Sequence, residues 1–294
     1  MKKILCFLAL AGGFATAVSA LFYKVFLYTD YKKFSSGNVA QKRKWLKNID
    51  YVERYISARD GTILHGIAAK NSGSRWAVIM HGYDSEGKNM ADCAEQFYAR
   101  GFNVLLPDQR GYGLSEGRKT SMGEKEQYDL IEWIKRVIYD ENASQVVLYG
   151  VSMGAATVML TAGHKLPEQV IAVIEDCGYT SVYDEFKYNL KRMFHLPAFP
   201  VLNIVDLLCR FRDGWSLKTG ASCISAVKKS ALPILFIHGS ADAFVPFYLQ
   251  DELYNAAACK KEKLVIYGAV QAQSADIDPQ LYWSTVFDFI ERSK

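Results

Sequence analysis

Hydrophobic positions along the chain change their period several times, and the changes divide it into elements. Near the front, Ile4 to Tyr23 is a run of 20 residues without a formal charge. As a helix it would be about 30 Å long, enough to cross the hydrocarbon core of a bilayer. From about Val52 onward, short β-branched or apolar runs alternate with helical patterns. Glu53–Ser57 and Thr62–Ala69 flank Asp60-Gly61, a hairpin turn signal. Further strand-like runs follow at Trp76–Met80, Asn103–Pro107, Gln145–Gly150, Val170–Glu175, Pro233–His238 and Leu264–Tyr267. One helix is expected to begin at Ser121, where Ser-Met-Gly-Glu reads as a capping box. It would continue with Leu130, Ile131, Ile134, Val137 and Ile138 on one face. The last helix is expected at Asp278-Pro279, a cap followed by proline at the first helical position, and it would bury Tyr282, Val286 and Phe289. Strands alternating with helices predict a mostly parallel sheet covered on both faces.

Between Thr180 and Leu232 the alternation stops. Large apolar residues recur there at helical spacing, among them Phe186, Leu190, Phe194, Leu202, Val205 and Phe211, interrupted by Pro197 and Pro200. Some of this stripe is core packing. Its size outside the sheet predicts a helical lid, about residues 180–230, over an apolar cleft at the ligand-binding edge of the sheet.

Composition excludes several classes. Half of the residues are apolar and 22% are charged, as in globular domains, which rules out disorder and fibrous repeats. The net charge of +4 is too small for a nucleic-acid partner. Its placement is uneven: residues 1–50 carry nine basic and two acidic side chains, so the remainder is slightly acidic. That pattern predicts an N-terminal transmembrane signal anchor over 1–28, a basic membrane-proximal stem over 29–50 and a near-neutral domain over 51–294. A cleavable secretory signal is the competing reading, with Val18-Ser19-Ala20 as its small-residue site. The apolar run continues past Ala20 through Phe22 and Leu27, which favours the anchor, and with it a single-pass position at the cell membrane. Of the six cysteines, Cys6 falls in the anchor segment, and the other five show neither disulfide-framework nor metal spacing and read as small buried apolar residues.

The candidate chemistry centres on Gly150-Val151-Ser152-Met153-Gly154. A Gly-x-Ser-x-Gly run is weak alone. Here it lies between an apolar strand and a helical run, the setting of a nucleophile elbow that lifts a serine hydroxyl to the N-terminus of a helix. Met80-His81-Gly82-Tyr83 follows an earlier strand. Pro107-Asp108-Gln109-Arg110-Gly111-Tyr112-Gly113 follows another, and His238-Gly239-Ser240-Ala241-Asp242 a third.

With these four motifs in this order, residues 50–292 resemble the α/β-hydrolase family, in particular bacterial membrane-anchored serine hydrolases of the serine aminopeptidase and lysophospholipase-like branch. The resemblance implies the α/β-hydrolase fold, with Ser152 as nucleophile, the backbone N–H groups of Tyr83 and Met153 as oxyanion hole, and Asp242 as the acid that orients the base. Asp176, also past a strand end, is a weaker candidate for that acid. His81 and His238 read as loop-shaping residues. In the family the base is a histidine on the loop after the last strand. That stretch is Gly268-Ala269-Val270-Gln271-Ala272 in this chain, and Gln271 stands at the histidine position.

A carboxamide can hold a serine hydroxyl but cannot take its proton. The expected function is therefore that of a serine hydrolase of esterase, lipase or peptidase type, acting on a substrate with an apolar acyl group and impaired at its base. The alternative is a non-catalytic, membrane-anchored descendant that binds a lipid or peptide. No metal cluster, phosphate loop or dinucleotide fingerprint occurs in the sequence, so no cofactor is expected.

Overall fold

The computed structural model describes residues 2–29 and 43–294, with side chains from residue 13 onward. Residues 30–42 of the expected stem lie outside the described residues. Eight strands form one sheet: β1 (Val52–Ser57), β2 (Ile63–Ala69), β3 (Arg75–Met80), β4 (Asn103–Pro107), β5 (Gln145–Val151), β6 (Val170–Asp176), β7 (Ile234–Gly239) and β8 (Lys261–Ile266). Their order is β1-β2-β4-β3-β5-β6-β7-β8. The first two pairings, β1–β2 and β2–β4, are antiparallel, and all the others are parallel. Each expected strand is present to within a few residues. The central strands are buried almost end to end, so alternate side chains enter two separate cores. Trp76, Val78 and Met80 point to one face, and Ala77 and Ile79 to the other. This is the α/β-hydrolase fold.

One face is covered by α2 (Ala91–Ala99) and α10 (Pro279–Glu291), with the single turn α9 (Ser274–Ile277) just before the latter. The other face is covered by α3 (Glu126–Tyr139), α4 (Met153–Ala162), α7 (Cys223–Lys229) and α8 (Tyr248–Ala256). The cap of α10 is as expected, with Asp278 Oδ1 accepting from Leu281 N at 3.0 Å. The start of α3 is not. Glu124 does not close a box with Ser121; its carboxylate accepts from Ala221 N, across the lid boundary. Buried Glu126 takes over, accepting from the Ser121 and Gly123 amides, both at 2.9 Å, and the helix begins there, five residues late.

The insertion expected as a lid comprises α5 (Val182–Phe194) and α6 (Ala198–Asp213), with α7 returning the chain to the sheet. The N-terminal segment is indeed a helix, α1 (Lys2–Leu27), yet its second half belongs to the domain. Phe22, Tyr23 and Leu27 are buried in the lid-side core, and α1 packs against α6. Tyr23 Oη donates to Asp213 Oδ2 at 2.6 Å, and Lys119 Nζ donates to Asp213 Oδ1 at 2.6 Å. The backbone continues the clasp through Thr120 N to Leu27 O and Thr29 N to Arg118 O, both 3.0 Å. The membrane-span expectation gains no support here: among the described residues no helix is long and apolar enough to cross a membrane. Domain packing also reaches back before residue 51, since Leu46 is buried on the α2–α10 face and Trp45 meets Tyr98 edge-on.

Candidate active site

Ser152 sits between β5 and α4 with φ 58° and ψ −116°, a conformation costly for a residue with a β-carbon. Its neighbours make the turn tight enough to force it. A β-carbon on Gly150 would run into the Gly154 backbone, and one on Gly154 into the Met80 carbonyl. Ser152 N donates to Asp176 O at 2.8 Å, which fixes the elbow to the adjacent strand end. The side chain is partly exposed. Met153 N lies at the first position of α4, where no carbonyl one turn back is available to it. Tyr83 follows β3, and its phenol donates to Val25 O of α1 at 3.2 Å.

Two loops at the far end of the sheet meet the serine. The turn after β7 carries Asp242, and the loop after β8 carries Gln271. They are stitched together by Ala241 N to Ala269 O at 2.9 Å and Gly268 N to Ser240 Oγ at 2.9 Å. The Gln271 carboxamide lies 2.8 Å from Ser152 Oγ and also touches both Asp242 oxygens. Only one orientation pairs donors with acceptors. The amide nitrogen donates to Asp242 Oδ2 and, at 3.1 Å, Oδ1; the amide oxygen accepts from the Ser152 hydroxyl. Serine, glutamine and aspartate thus form one continuous hydrogen-bonded chain. Asp242 is buried and also accepts from Phe244 N (2.9 Å) and Val245 N (3.0 Å).

Asp176 takes no part in that chain. It is buried, accepting from Tyr282 Oη at 2.9 Å and Ser274 Oγ at 3.2 Å, and burial pushes its pKa up to about 6. His81 is a structural bridge: Nδ1 donates to Gly82 O at 2.7 Å and Nε2 accepts from Gln109 N at 2.9 Å. Burial lowers its pKa, so it stays neutral. His238 does more than shape a loop. Its Nε2 lies 3.3 Å from Asp242 Oδ2 and 3.0 Å from Val245 O. Burial alone would lower its pKa, but the Asp242 and Glu175 carboxylates outweigh that and raise it. No hydrogen bond joins His238 to Ser152 among the described residues. The one polar side chain in contact with the hydroxyl is therefore a carboxamide, which positions a proton without accepting it.

Beside Ser152 lies a small apolar cavity of about 40 Å³. Phe186 of α5 lines it. Phe22 and Phe26 of α1 also line it, as do Glu185 and Asn189 of α5. The sequence reading missed these four. Phe22 and Phe26 were hidden in an apolar run, and Glu185 and Asn189 resemble any polar helix positions.

Comparison with known proteins agrees with this architecture. Residues 74–194 match the family described as serine aminopeptidase, S33. The chain is 28% identical over 215 residues to the Bacillus subtilis (strain 168) protein YqkD, covering 73% of this chain and 70% of that one. It is 26% identical over 262 residues to the α/β hydrolase domain-containing protein WAV2 of Arabidopsis thaliana, covering 83% and 80%. Among solved structures, the esterase Pf2001 of Pyrococcus furiosus superposes with a TM-score of 0.69 at 22% identity, covering 84% of this chain and 93% of that one. The chain thus shares the fold of the α/β hydrolases, and its central part matches the serine aminopeptidase family.

Proposed function

We propose that this protein is a serine hydrolase for esters with an apolar acyl group, held at low turnover by Gln271. In this reading Ser152 is the nucleophile. The N–H groups of Tyr83 and Met153 receive the developing oxyanion, and Asp242 orients the residue at position 271. Acylation needs a group that takes the serine proton and returns it to the leaving alcohol. Imidazole does this near neutral pH, whereas a carboxamide cannot. Losing a triad base costs on the order of 10⁴–10⁶ in turnover, while binding and the oxyanion hole retain roughly 10³ over water. The observation that carries the proposal is the carboxamide seated between Ser152 Oγ and Asp242.

The test is hydrolysis of short-chain p-nitrophenyl esters. Wild type is expected to be slow, and Gln271→His faster by at least ~10³, with a rate that rises through pH ~6.5 as the imidazole deprotonates. Ser152→Ala in the Gln271→His background should abolish the gain. Brisk wild-type turnover that depends on Ser152 would show that another base serves and would overturn the impairment. The second reading is a binding protein with no turnover in its present form. It is favoured by the same bridge, which satisfies serine and aspartate without substrate; an inert Gln271→His variant would select it.

We also infer that the lid side meets a lipid surface. Apolar side chains stand exposed on two helices that pack together: Phe14, Leu21 and Val25 on α1, Phe199 and Phe211 on α6, the last two 73% and 86% exposed. Basic residues flank them, Lys24 on α1 and Arg210 and Arg212 on α6. Aromatic residues beside lysine and arginine suit a helix lying at an anionic interface.

A further inference from the structure

A second cavity, of about 330 Å³, lies beside the clasp that joins Tyr23, Lys119 and Asp213. It is several times the size of the one next to Ser152 and shares no lining residue with it. Its walls come from the turn after β1, the loop of residues 117–121, the approach to α3 and the end of α6. Five basic side chains line it, against two acidic ones, Asp60 and Asp213. Both acids already have cation partners. Arg110 donates to Asp60 Oδ2 at 2.8 Å and to Asp129 Oδ1 at 2.6 Å, and Lys119 donates to Asp213 Oδ1 at 2.6 Å. Arg118, Lys125 and Arg212 are left over. Among the described residues none of these three side chains forms an ion pair or a hydrogen bond. They reach the cavity from three separate segments although their charges repel. Protein walls around such a cluster focus its positive field, where open solvent would screen it.

The structure assigns this cavity to a phosphate group, carried either by a soluble ester or by a lipid headgroup. A phosphate monoester brings a charge of about −1.5 to −2 and three strong acceptor oxygens. Two guanidinium forks and an ammonium match that set, the forks by paired N–H donors. A carboxylate has one charge and two oxygens, too few for three cations. Buried Trp215 lines the same cavity, so the organic part of the ligand meets an apolar wall beside the charges. Arg212 directly follows Phe211, which is 86% exposed. A lipid lying on that side of α6 would bring its headgroup to this opening.

The assignment is independent of the chemistry at Ser152 and of the lipid-facing surface, since Arg118 and Lys125 belong to neither. Isothermal titration of the full chain with inorganic phosphate and with glycerol 3-phosphate, at fixed ionic strength, is expected to give one site with Kd ~1 mM or below. Arg118→Gln with Lys125→Gln should weaken both by at least ~10-fold, the scale of a lost hydrogen bond to a charged group. Neither side chain has a partner to lose, so the thermal midpoint should stay within ~2 °C. Lys228→Gln with Lys229→Gln, exposed at the end of α7, removes the same net charge elsewhere and should change affinity by less than ~2-fold. No saturable heat with either phosphate, or an equal loss in both double variants, would overturn the assignment. Phosphatidylglycerol vesicles then separate the two sources. If glycerol 3-phosphate strips the protein from them and the Arg118/Lys125 double variant sediments less, the ligand is a lipid headgroup. If sedimentation is unchanged by either while the titration holds, it is a soluble ester. A protein that titrates phosphate but never sediments would refute the lipid-facing surface and leave this cavity standing.

Discussion

At the scale of single residues, the site end of the sheet concentrates buried acids. Glu175 is fully buried at the end of β6, with Oε2 accepting from Gly178 N at 3.0 Å and Oε1 unpartnered. Burial pushes its pKa up to about 8. The folded state thus holds a proton that the unfolded chain, with an ordinary carboxyl near 4.3, releases sooner. The native state binds more protons across this interval, so the stability tied to Glu175 is present in full below pH ~4 and is lost as pH rises toward 8. Glu175→Gln, which keeps an acceptor toward Gly178, is expected to raise the thermal midpoint by about 3 °C or more at pH 9 and by little at pH 4.5, measured by calorimetry. A uniform shift at both pH values would refute the titration argument. The same scale shows what was legible in the sequence. Ser152, Asp242 and Gln271 could be singled out because the resemblance places each in a motif at a strand end, and the fold brings the three into one hydrogen-bonded chain. Glu185 and Asn189 could not, because only the fold reveals that their turn of α5 faces a cavity rather than water.

At the scale of elements, the strands were the easiest part to read. Parallel strands buried on both faces become continuous apolar runs, and each was found to within a few residues. The start of α3 was misread because two glutamates compete for one cap: Glu124 has the box spacing, but Glu126 is the one whose carboxylate reaches the turn. The packed side of α1 escaped the sequence reading for a deeper reason. Its buried and pocket-lining positions Ser19, Phe22, Tyr23, Phe26 and Leu27 follow the spacing of a packed helix face. The opposite face carries Phe14, Leu21 and Val25, so periodicity disappears into uniform apolarity. Phe22 makes an edge-on contact with Phe186 at 5.3 Å and is 5% exposed. Phe22→Ala should therefore cost about 3–5 kcal/mol in urea denaturation, the range for a buried phenylalanine. A loss under ~1 kcal/mol would mean that α1 is only loosely attached to the domain.

At the scale of the whole molecule, a single sheet organises three regions with distinct tasks. The strand ends set the serine and its partners, the two faces supply separate cores, and α1 with the lid closes one side of the cavity. The exposed apolar residues of α1 and α6 give that closing side a direction in space. Sedimentation with vesicles is expected to carry the protein down with phosphatidylglycerol and much less with phosphatidylcholine, given the basic residues beside the apolar ones. Phe199→Glu with Phe211→Glu should release it by at least ~10-fold without changing the thermal midpoint by more than ~2 °C, since both side chains are already in solvent. Equal sedimentation of the double variant would refute the lipid-facing surface.

The tie from the Tyr83 hydroxyl to the Val25 carbonyl has a practical corollary. Anyone who trims the leading 28 residues to ease expression removes Phe22 and Phe26 from the wall of the cavity and unhooks the residue beside the serine. Assays on such a shortened protein would sample a wider space around Ser152 than the intact one offers.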